Sequence, residues 1–310
     1  MASLEHLHDS GDLGLRARIL SSIVEGTDVA VNFPLVKGIR VPDALFARLE
    51  QSVITYIWHT LSQALPGEFT PSRQILADYA SAIPTLPNRT PNGVLLARRE
   101  TFLSFNLIHQ ALAQIFEALG LLRRLSFVQS PCNVRIVSGA ASPAAEGRPY
   151  ASTKIHTDVW AGEPTNTLLF NIPVLGDMQA VDLRFFEPRA FPERLRVRLD
   201  DYDLGRPVVE NAVAYPATLR AGEIYLSDAL CLHQTVKRSP GLRLSLDFRA
   251  IFGEQESVAS GSGAVYVPVR DWCGVGSTTI LASGTPLDAW LRRAAGEVVS
   301  PSALSIALLD

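Results

Sequence analysis

The sequence alternates apolar and polar side chains without exception over one stretch, Leu242-Arg243-Leu244-Ser245-Leu246-Asp247-Phe248-Arg249. Because successive side chains of a β-strand point to opposite faces of a sheet, this period of two predicts a strand. One face carries leucines and a phenylalanine, and the other carries only polar or charged groups. The period alone leaves open which of the two faces points to solvent.

Short segments of similar character surround this stretch from residue 133 onward. Gly and Pro separate them and no helical stretch lies between them, which favours an antiparallel sandwich or jelly roll. The predicted strands are 133–138, 155–160, 167–174, 182–186, 194–199, 224–227, 232–236 and 243–252.

Two amphipathic segments precede the β-rich region. Apolar residues recur about every fourth position over 43–65 and 99–119, as in a helix with one buried face, and Gly120 suits the end of the second. Thr285-Pro286 predicts the start of a further helix ending near Gly296, and Ser300-Pro301 the start of another.

We therefore predict one domain over residues 1–310 that is mainly β with helical additions. It comprises a mostly helical region at 1–124, a jelly-roll core at 125–255 and a C-terminal extension at 256–310. The N-terminal and C-terminal helices are expected to buttress the outside of the core. The last, apolar helix could dock on the core or on a second subunit, so a homo-oligomer is one expectation.

Composition restricts the class of protein and of partner. The chain has a net charge of −3, with 47% hydrophobic and 19% charged residues, which indicates neither disorder nor a nucleic-acid surface. Three cysteines without a regular spacing argue against a disulfide framework and for a cytoplasmic protein. Neither a signal peptide nor a transmembrane segment is visible. A small molecule is the expected partner.

Two histidines and one aspartate suggest a metal site. If 155–160 is a strand, His156 and Asp158 point to the same side. His233 can join them from a later strand of the same core. Two histidines and one carboxylate are the ligands of mononuclear non-haem iron, and they leave coordination positions open for chemistry. We predict that these three are the only protein ligands of one Fe(II).

Two further side chains follow the second histidine on the alternating strand. Arg243 offers a fork of donors and Ser245 a hydroxyl, and together they could clamp a carboxylate. The ordered set of five residues resembles the Fe(II)- and 2-oxoglutarate-dependent dioxygenases, a family with a double-stranded β-helix core. Its members bind iron with an H-x-D pair and a distal histidine, and bind the far carboxylate of 2-oxoglutarate with an R-x-S motif.

The resemblance covers about residues 125–255 and implies an activity. Iron, 2-oxoglutarate and O2 would oxidise an unactivated C–H bond, normally by hydroxylation, with no catalytic side chain beyond the metal ligands. Asp158 argues against a halogenating relative, in which a small residue takes that position. Arg243 and Ser245 would bind the cosubstrate, and Asn171 could point toward it from the 167–174 strand.

The substrate is expected to be a small polar metabolite, such as a sugar, a sugar acid, an amino-acid derivative or a natural-product intermediate. Polar side chains that could line its pocket are Arg249, Asp247 and Arg135, and Trp160 could present a flat face to a ring. The alternative is that Asp247 and Arg249 pair with each other and that Trp160 belongs to the core.

Three further alternatives stay open at the level of sequence. A cupin-type metalloenzyme would use a metal without 2-oxoglutarate, and a non-enzymatic β-sandwich would bind a ligand without turnover. The loop at 138–153, rich in Ala, Ser, Gly and Pro, is either a lid over the site or a connection with no role.

Overall fold

The structure is a computed structural model that describes residues 11–140, 143–253, 258, 266–269, 279–280 and 285–286. Its helices are α1 (Leu13–Ile23), α2 (Asp43–Ala64), α3 (Ile75–Asp78), α4 (Phe102–Ala118), α5 (Pro143–Glu146), α6 (Asp158–Ala161) and α7 (Arg206–Val209). Its strands are β1 (Val29–Phe33), β2 (Val36–Arg40), β3 (Val94–Leu95), β4 (Leu125–Gln129), β5 (Asn133–Ser138), β6 (Thr167–Gly176), β7 (Val181–Glu187), β8 (Val213–Ala214), β9 (Glu223–Asp228), β10 (Leu232–Lys237), β11 (Leu242–Phe252), β12 (Tyr266–Pro268), β13 (Thr279–Ile280) and β14 (Thr285–Pro286).

Two antiparallel sheets form the core. The larger one runs in the order β1-β2-β9-β6-β11-β4-β12, with β5 pairing with the first half of β11 and with β3. The smaller one has the order β10-β7-β8. The prediction of a mainly β fold with a jelly-roll core of the double-stranded β-helix type and helical additions is confirmed.

The two faces of strand β11 lie in different surroundings. Its apolar side chains join the main hydrophobic cluster together with residues of α2 and α4, and Phe248 lies 5.5 Å from Phe116 of α4 between ring centroids. Because the helices cover the apolar face, the polar face lies against the smaller sheet. Arg243, Ser245 and Asp247 are accordingly buried rather than solvated.

Most predicted elements agree with the structure. The helices expected at 43–65 and 99–119 are α2 and α4, and Gly120 follows α4 with a φ of 69°, a left-handed conformation that favours glycine. The N-terminal region also contains α1, β1 and β2, which the sequence patterns did not predict. Its strands extend the larger sheet through the pairing of β2 with β9.

Two predicted strands are wrong. At 155–160 only His156 forms a bridge, with His233, and Asp158 begins α6. The Thr157 side chain accepts a hydrogen bond from the Val159 amide, which favours the start of a helix over a continued strand. The segment 194–199 contains a short 3-10 helix, Glu193–Leu195, and no strand.

The C-terminal predictions are tested only in part. Thr285-Pro286 does not begin a helix, because these two residues pair with Thr279–Ile280 as β14 and β13. The rest of that predicted helix, the one expected after Ser300-Pro301, and Cys273 lie outside the described residues. Cys132 and Cys231 are buried free thiols. Within the described part of the chain, no helix is long and apolar enough to cross a membrane.

Candidate active site

A cavity of about 150 Å³, which we call the site cavity, is lined by residues of both sheets. The larger sheet supplies side chains from β5, β6 and β11, and the smaller sheet supplies them from β7 and β10. The site cavity contains eight of the side chains that the sequence predicted for the site: Arg135, His156, Asp158, Asn171, His233, Arg243, Asp247 and Arg249. It does not include Ser245 or Trp160.

His156 and His233 face each other across a β-bridge. Their backbones exchange hydrogen bonds of 3.0 and 2.7 Å, and their ring centroids lie 4.3 Å apart. His156 Nδ1 lies 2.8 Å from the Lys154 carbonyl oxygen and His233 Nδ1 lies 3.4 Å from that of Cys231. A carbonyl partner favours the proton on Nδ1, which leaves Nε2 of each ring with a lone pair for a metal.

Both imidazoles are held neutral. Burial, reinforced by the neighbouring His233, lowers the pKa of His156 to about 3. Burial also lowers the pKa of His233, although the Asp158 carboxylate partly opposes the shift. A metal ligand has to be the neutral imidazole, so these environments suit metal binding.

Asp158 is the first residue of α6 and is paired with an arginine. Arg249 Nη2 donates to Asp158 Oδ1 at 3.0 Å and Arg249 Nε donates to Oδ2 at 3.1 Å. Burial alone would raise the pKa of Asp158, but the charge of Arg249 outweighs it and holds that pKa well below its usual range. His233 Nε2 lies 3.9 Å from Asp158 Oδ1, so the carboxylate is next to the second histidine.

The chemistry of the three side chains fits a divalent metal ion. Within the described residues, no group of three or more His, Cys, Asp or Glu side chains is already arranged to hold a metal ion, and both oxygens of Asp158 accept hydrogen bonds from Arg249. A carboxylate has about four lone-pair sites, so two hydrogen bonds do not exhaust it. Two neutral histidines and one ionised aspartate in one cavity are the donor set of a mononuclear iron site.

Arg243 is a buried cation without an anionic partner. Its residue is only 2% exposed, and Nη1 donates to the Val181 carbonyl at 3.0 Å. Neither a carboxylate at ion-pair distance nor an acceptor for Nε is found among the described residues. Burial lowers the pKa of Arg243 to about 10, against the opposing charge of Asp182. Burial of an unpaired charge is unfavourable, so the guanidinium is suited to an anion that enters the site cavity.

Two polar side chains near Arg243 also have atoms without protein partners. Ser245 Oγ and Asn171 Oδ1 are buried and form no hydrogen bond within the described part of the chain. Asn171 lines the site cavity, whereas Ser245 lies on the same face of β11 but outside the cavity lining. Their assignment to the cosubstrate stays a prediction.

Asp247 forms its main ion pair with Arg135. Arg135 Nε lies 2.5 Å and Arg135 Nη2 3.0 Å from the two carboxylate oxygens, and Asn133 Nδ2 donates to Oδ1 at 2.8 Å. Arg249 Nη1 lies further away, at 3.6 Å from Asp247 Oδ1. Asp247 and Arg249 are therefore not primarily partners of each other. Both line the site cavity, but their charges are compensated by other residues.

Trp160 belongs to the core and not to the site cavity. It is fully buried, its Nε1 donates to the Leu195 carbonyl at 2.9 Å, and its ring packs 5.9 Å from that of Phe191. Because α6 begins at Asp158, Trp160 follows a helical turn and lies outside the lining of the site cavity. This corrects the expectation that Trp160 presents a face to substrate and agrees with the alternative that the sequence left open.

Tyr202 is a site residue that the sequence patterns did not reveal. Its ring stacks on His156 with centroids 4.3 Å apart and an interplanar angle of 7°. Lys154 contacts Asp201 Oδ1 at 2.8 Å and Asp203 Oδ2 at 2.6 Å, which ties the segment before His156 to the residues on both sides of Tyr202. Lys154 and Asp201 are 47 residues apart in the sequence, so no local pattern indicated the contact.

The known structures that this chain resembles share little sequence with it. No family model and no curated protein matches the sequence. Among solved structures, the chain is similar to AviO1 from Streptomyces viridochromogenes Tue57, at 13% identity and a TM-score of 0.44, with 79% of this chain and 97% of that chain covered.

Two further structures show the same level of likeness. One is the non-haem alpha-ketoglutarate-dependent epimerase SnoN from nogalamycin biosynthesis, at 14% identity, a TM-score of 0.36 and coverage of 87% and 95%. The other is an N-substituted L-amino acid dioxygenase from Burkholderia ambifaria AMMD, at 11% identity, a TM-score of 0.37 and coverage of 76% and 87%.

Proposed function

We propose that this chain is an Fe(II)- and 2-oxoglutarate-dependent oxygenase that oxidises a C–H bond of a small polar metabolite. The observation that carries the proposal is the buried, unpaired Arg243 in the same cavity as His156, Asp158 and His233. A metal site alone would not need this cation. A dicarboxylate that reaches from the metal ligands to Arg243 would explain why a metal site and a buried cation share one cavity.

Each site residue then has a defined role. His156, Asp158 and His233 hold the iron, and Arg243 pairs with the far carboxylate of 2-oxoglutarate, with Ser245 and Asn171 as additional polar contacts. When bound, iron and 2-oxoglutarate together supply the oxidising power that C–H oxidation by O2 requires. The protein contributes position and charge rather than a catalytic acid or base.

Other side chains keep the ligands in place. Tyr202 packs on the ring of His156, and the Lys154 carbonyl accepts from its Nδ1, so the orientation of this ring is restricted from two sides. Arg249 restricts the Asp158 carboxylate in the same way. Such outer contacts orient metal ligands and affect metal affinity.

Arg243 separates this proposal from its main rival. A cupin-type metalloenzyme that does not use 2-oxoglutarate gives no role to a buried cation at this position. A non-enzymatic binding protein gives no role to two neutral histidines beside an ionised aspartate. Neither alternative is supported by a further observation in the described residues.

The test is a screen for succinate formation. The purified protein with Fe(II), 2-oxoglutarate and O2 is incubated with candidate sugars, sugar acids and amino-acid derivatives, and each hit is examined by mass spectrometry for the gain of one oxygen atom. We expect succinate formation that depends on the hit and is absent from the His233→Ala protein. Full activity of that variant would contradict the assignment of the metal ligands.

A further inference from the structure

A second cavity of about 250 Å³ adjoins the site cavity. We call it the outer cavity, and it shares Asn92 and Ser152 with the lining of the site cavity. Its walls come from the loop before β3, from β5, from Ala140 and described residues of 146–153, and from Lys237 at the end of β10. The outer cavity is thus directly continuous with the residues around the predicted metal site.

The size of the site cavity indicates why a second space is needed. Pockets for small molecules typically have about 300–1,000 Å³. The site cavity is smaller than that, and in the proposed function it already contains 2-oxoglutarate. The body of the substrate therefore has to lie largely in the outer cavity, with only the reacting carbon near the metal ligands.

The charges of the outer cavity favour an anion. Within the described residues, its lining includes three basic side chains, Arg89, Arg148 and Lys237, and one acidic side chain, Glu146. Lys237 Nζ contacts Glu146 at 3.1 Å, so the single carboxylate is already paired. The lining as a whole carries an excess of positive charge.

Arg89 has donors available for a ligand. The residue is partly buried, and Nη2 donates to the Ile136 carbonyl at 3.2 Å. Arg89 lines the outer cavity, and its Nη1 forms no hydrogen bond within the described residues, which also include no carboxylate at ion-pair distance from this guanidinium. Burial lowers the pKa of Arg89, and no neighbouring acid opposes that shift. An oxyanion would supply the missing acceptor and the missing charge.

Asn92 connects the two cavities. Its side-chain oxygen accepts from Arg148 Nη2 at 2.7 Å, and its main-chain oxygen accepts from Arg135 Nη1 at 3.0 Å. Arg135 in turn pairs with Asp247 inside the site cavity. A molecule bound beside Arg148 and Arg89 therefore lies next to Asn92, whose main-chain oxygen contacts the Arg135–Asp247 ion pair of the site cavity.

We infer that the outer cavity binds an oxyanion of the substrate, a carboxylate or a phosphate, with Arg89 as its principal partner. The carbon to be oxidised extends past Asn92 and Ser152 into the site cavity. This inference deepens the proposed function, because it restricts the substrate to anionic small molecules. The described residues 146–153 of the predicted loop then form a wall of the substrate site rather than a connection without a role.

The test uses the protein without added iron or 2-oxoglutarate and inorganic phosphate as the probe. Side-chain Nε–H signals of arginine are followed by NMR, and the Arg89 signal is identified by its absence from the Arg89→Lys protein. We expect a saturable shift of that signal with phosphate and none with uncharged acetamide. Calorimetry should show at least tenfold weaker phosphate binding to Arg89→Gln than to wild type.

The matched control is Arg73, whose exposed guanidinium pairs with Glu50 at 2.6 Å and lines a different groove. Its signal, identified through Arg73→Lys, should stay nearly unchanged at the same phosphate concentrations. Equal shifts of the Arg73 and Arg89 signals would show unspecific ion binding and overturn the inference. An unshifted Arg89 signal would overturn it as well.

A second measurement separates this inference from the proposed function. 2-Oxoglutarate affinity is measured for wild type and Arg89→Gln loaded with Mn(II), and we expect no difference between them. If wild type binds phosphate at Arg89 but not 2-oxoglutarate, the proposed function fails while the anion site stands. For each hit of the succinate screen, the KM of the acid should be at least tenfold lower than that of its amide in wild type, but not in Arg89→Gln. Equal KM values for acid and amide in wild type would show that the enzyme does not recognise an anionic group of the substrate.

Discussion

Arg249 holds both carboxylate oxygens of Asp158, with Nη2 at 3.0 Å from Oδ1 and Nε at 3.1 Å from Oδ2. Arg249 lies on the same face of β11 as Arg243, six residues further along the strand. One face of a single strand thus carries both the proposed partner of the cosubstrate and the group that orients a proposed metal ligand.

Replacing Arg249 by Met is therefore expected to weaken metal binding. Without the guanidinium the Asp158 carboxylate loses its fixed orientation, and loss of such an outer contact typically reduces metal affinity about 10–100-fold. Mn(II) affinity is measured by calorimetry without 2-oxoglutarate. The control is Arg238→Met, which removes a half-exposed guanidinium that pairs with Asp182 at 2.9 Å. Unchanged or tighter Mn(II) binding by Arg249→Met would show that Arg249 does not support the metal ligand.

Tyr202 should act through its ring rather than its hydroxyl. Tyr202→Phe keeps the stacking on His156 and should bind Mn(II) like wild type, whereas Tyr202→Ala lets the imidazole rotate and should bind it several-fold more weakly. Tyr150→Ala is the control, because Tyr150 contacts Tyr202 edge to face but does not touch His156 in the described contacts. Equal Mn(II) affinities of Tyr202→Ala and wild type would show that the Tyr202 ring does not hold His156 in position for the metal.

Trp160 and Gly205 should be coupled in stability. A Cβ added to Gly205 would overlap with the six-membered ring of Trp160, so Gly205→Ala should destabilise the fold by about 1–3 kcal/mol. In the Trp160→Phe protein the smaller ring leaves room, and the added cost of Gly205→Ala should be clearly lower. Urea unfolding of the two single variants and the double variant measures this difference. Additive effects would contradict the packing described for Trp160.

His109 should contribute to acid sensitivity. It is fully buried in α4, its Nε2 accepts from the Cys132 amide at 3.1 Å, and burial lowers its pKa to about 3. An unfolded histidine has a pKa of about 6.5, so the unfolded chain binds the proton first as pH falls. The stability contributed by neutral His109 is complete above about pH 6.5 and is lost progressively toward pH 3.

The comparison of two histidine variants checks this window. His109→Gln should lose less stability between pH 6.5 and pH 4.5 than wild type, even if it is less stable at pH 7. His59→Gln is the matched control, because it changes another histidine that contacts the same helix, through Ser104. Identical slopes for all three proteins would show that His109 does not cause the acid sensitivity.

The sequence predicted the elements whose patterns are local. The alternation in β11 and the four-residue spacing in α2 and α4 gave the correct type of structure, because one buried face leaves its period in the sequence. What the period could not give is which face of β11 is turned inward. That depends on α2 and α4, which cover the apolar side from far along the chain.

The failures have physical reasons of the same kind. The segment 194–199 alternates like a strand, but Val197 is 52% exposed between Leu195 and Leu199, which pack into a core cluster, so its apolar positions do not share one buried face. In 155–160 the capping oxygen of Thr157 determined the local structure. The pairing of Arg249 with Asp158 and the stacking of Tyr202 on His156 join distant segments, and no spacing in the sequence records them.

The proposed function is tested most directly by the affinity of the Mn(II)-loaded protein for 2-oxoglutarate in wild type and Arg243 variants. Truncating one partner of a buried charge pair costs on the order of 2–5 kcal/mol, so Arg243→Ala should weaken binding by about 30-fold or more. Arg243→Lys should restore it only in part, because a point charge replaces a fork. Pyruvate has no far carboxylate, and its weaker binding should be the same in all three proteins. An unchanged dissociation constant for 2-oxoglutarate in Arg243→Ala would contradict the assignment of this arginine and of the cosubstrate.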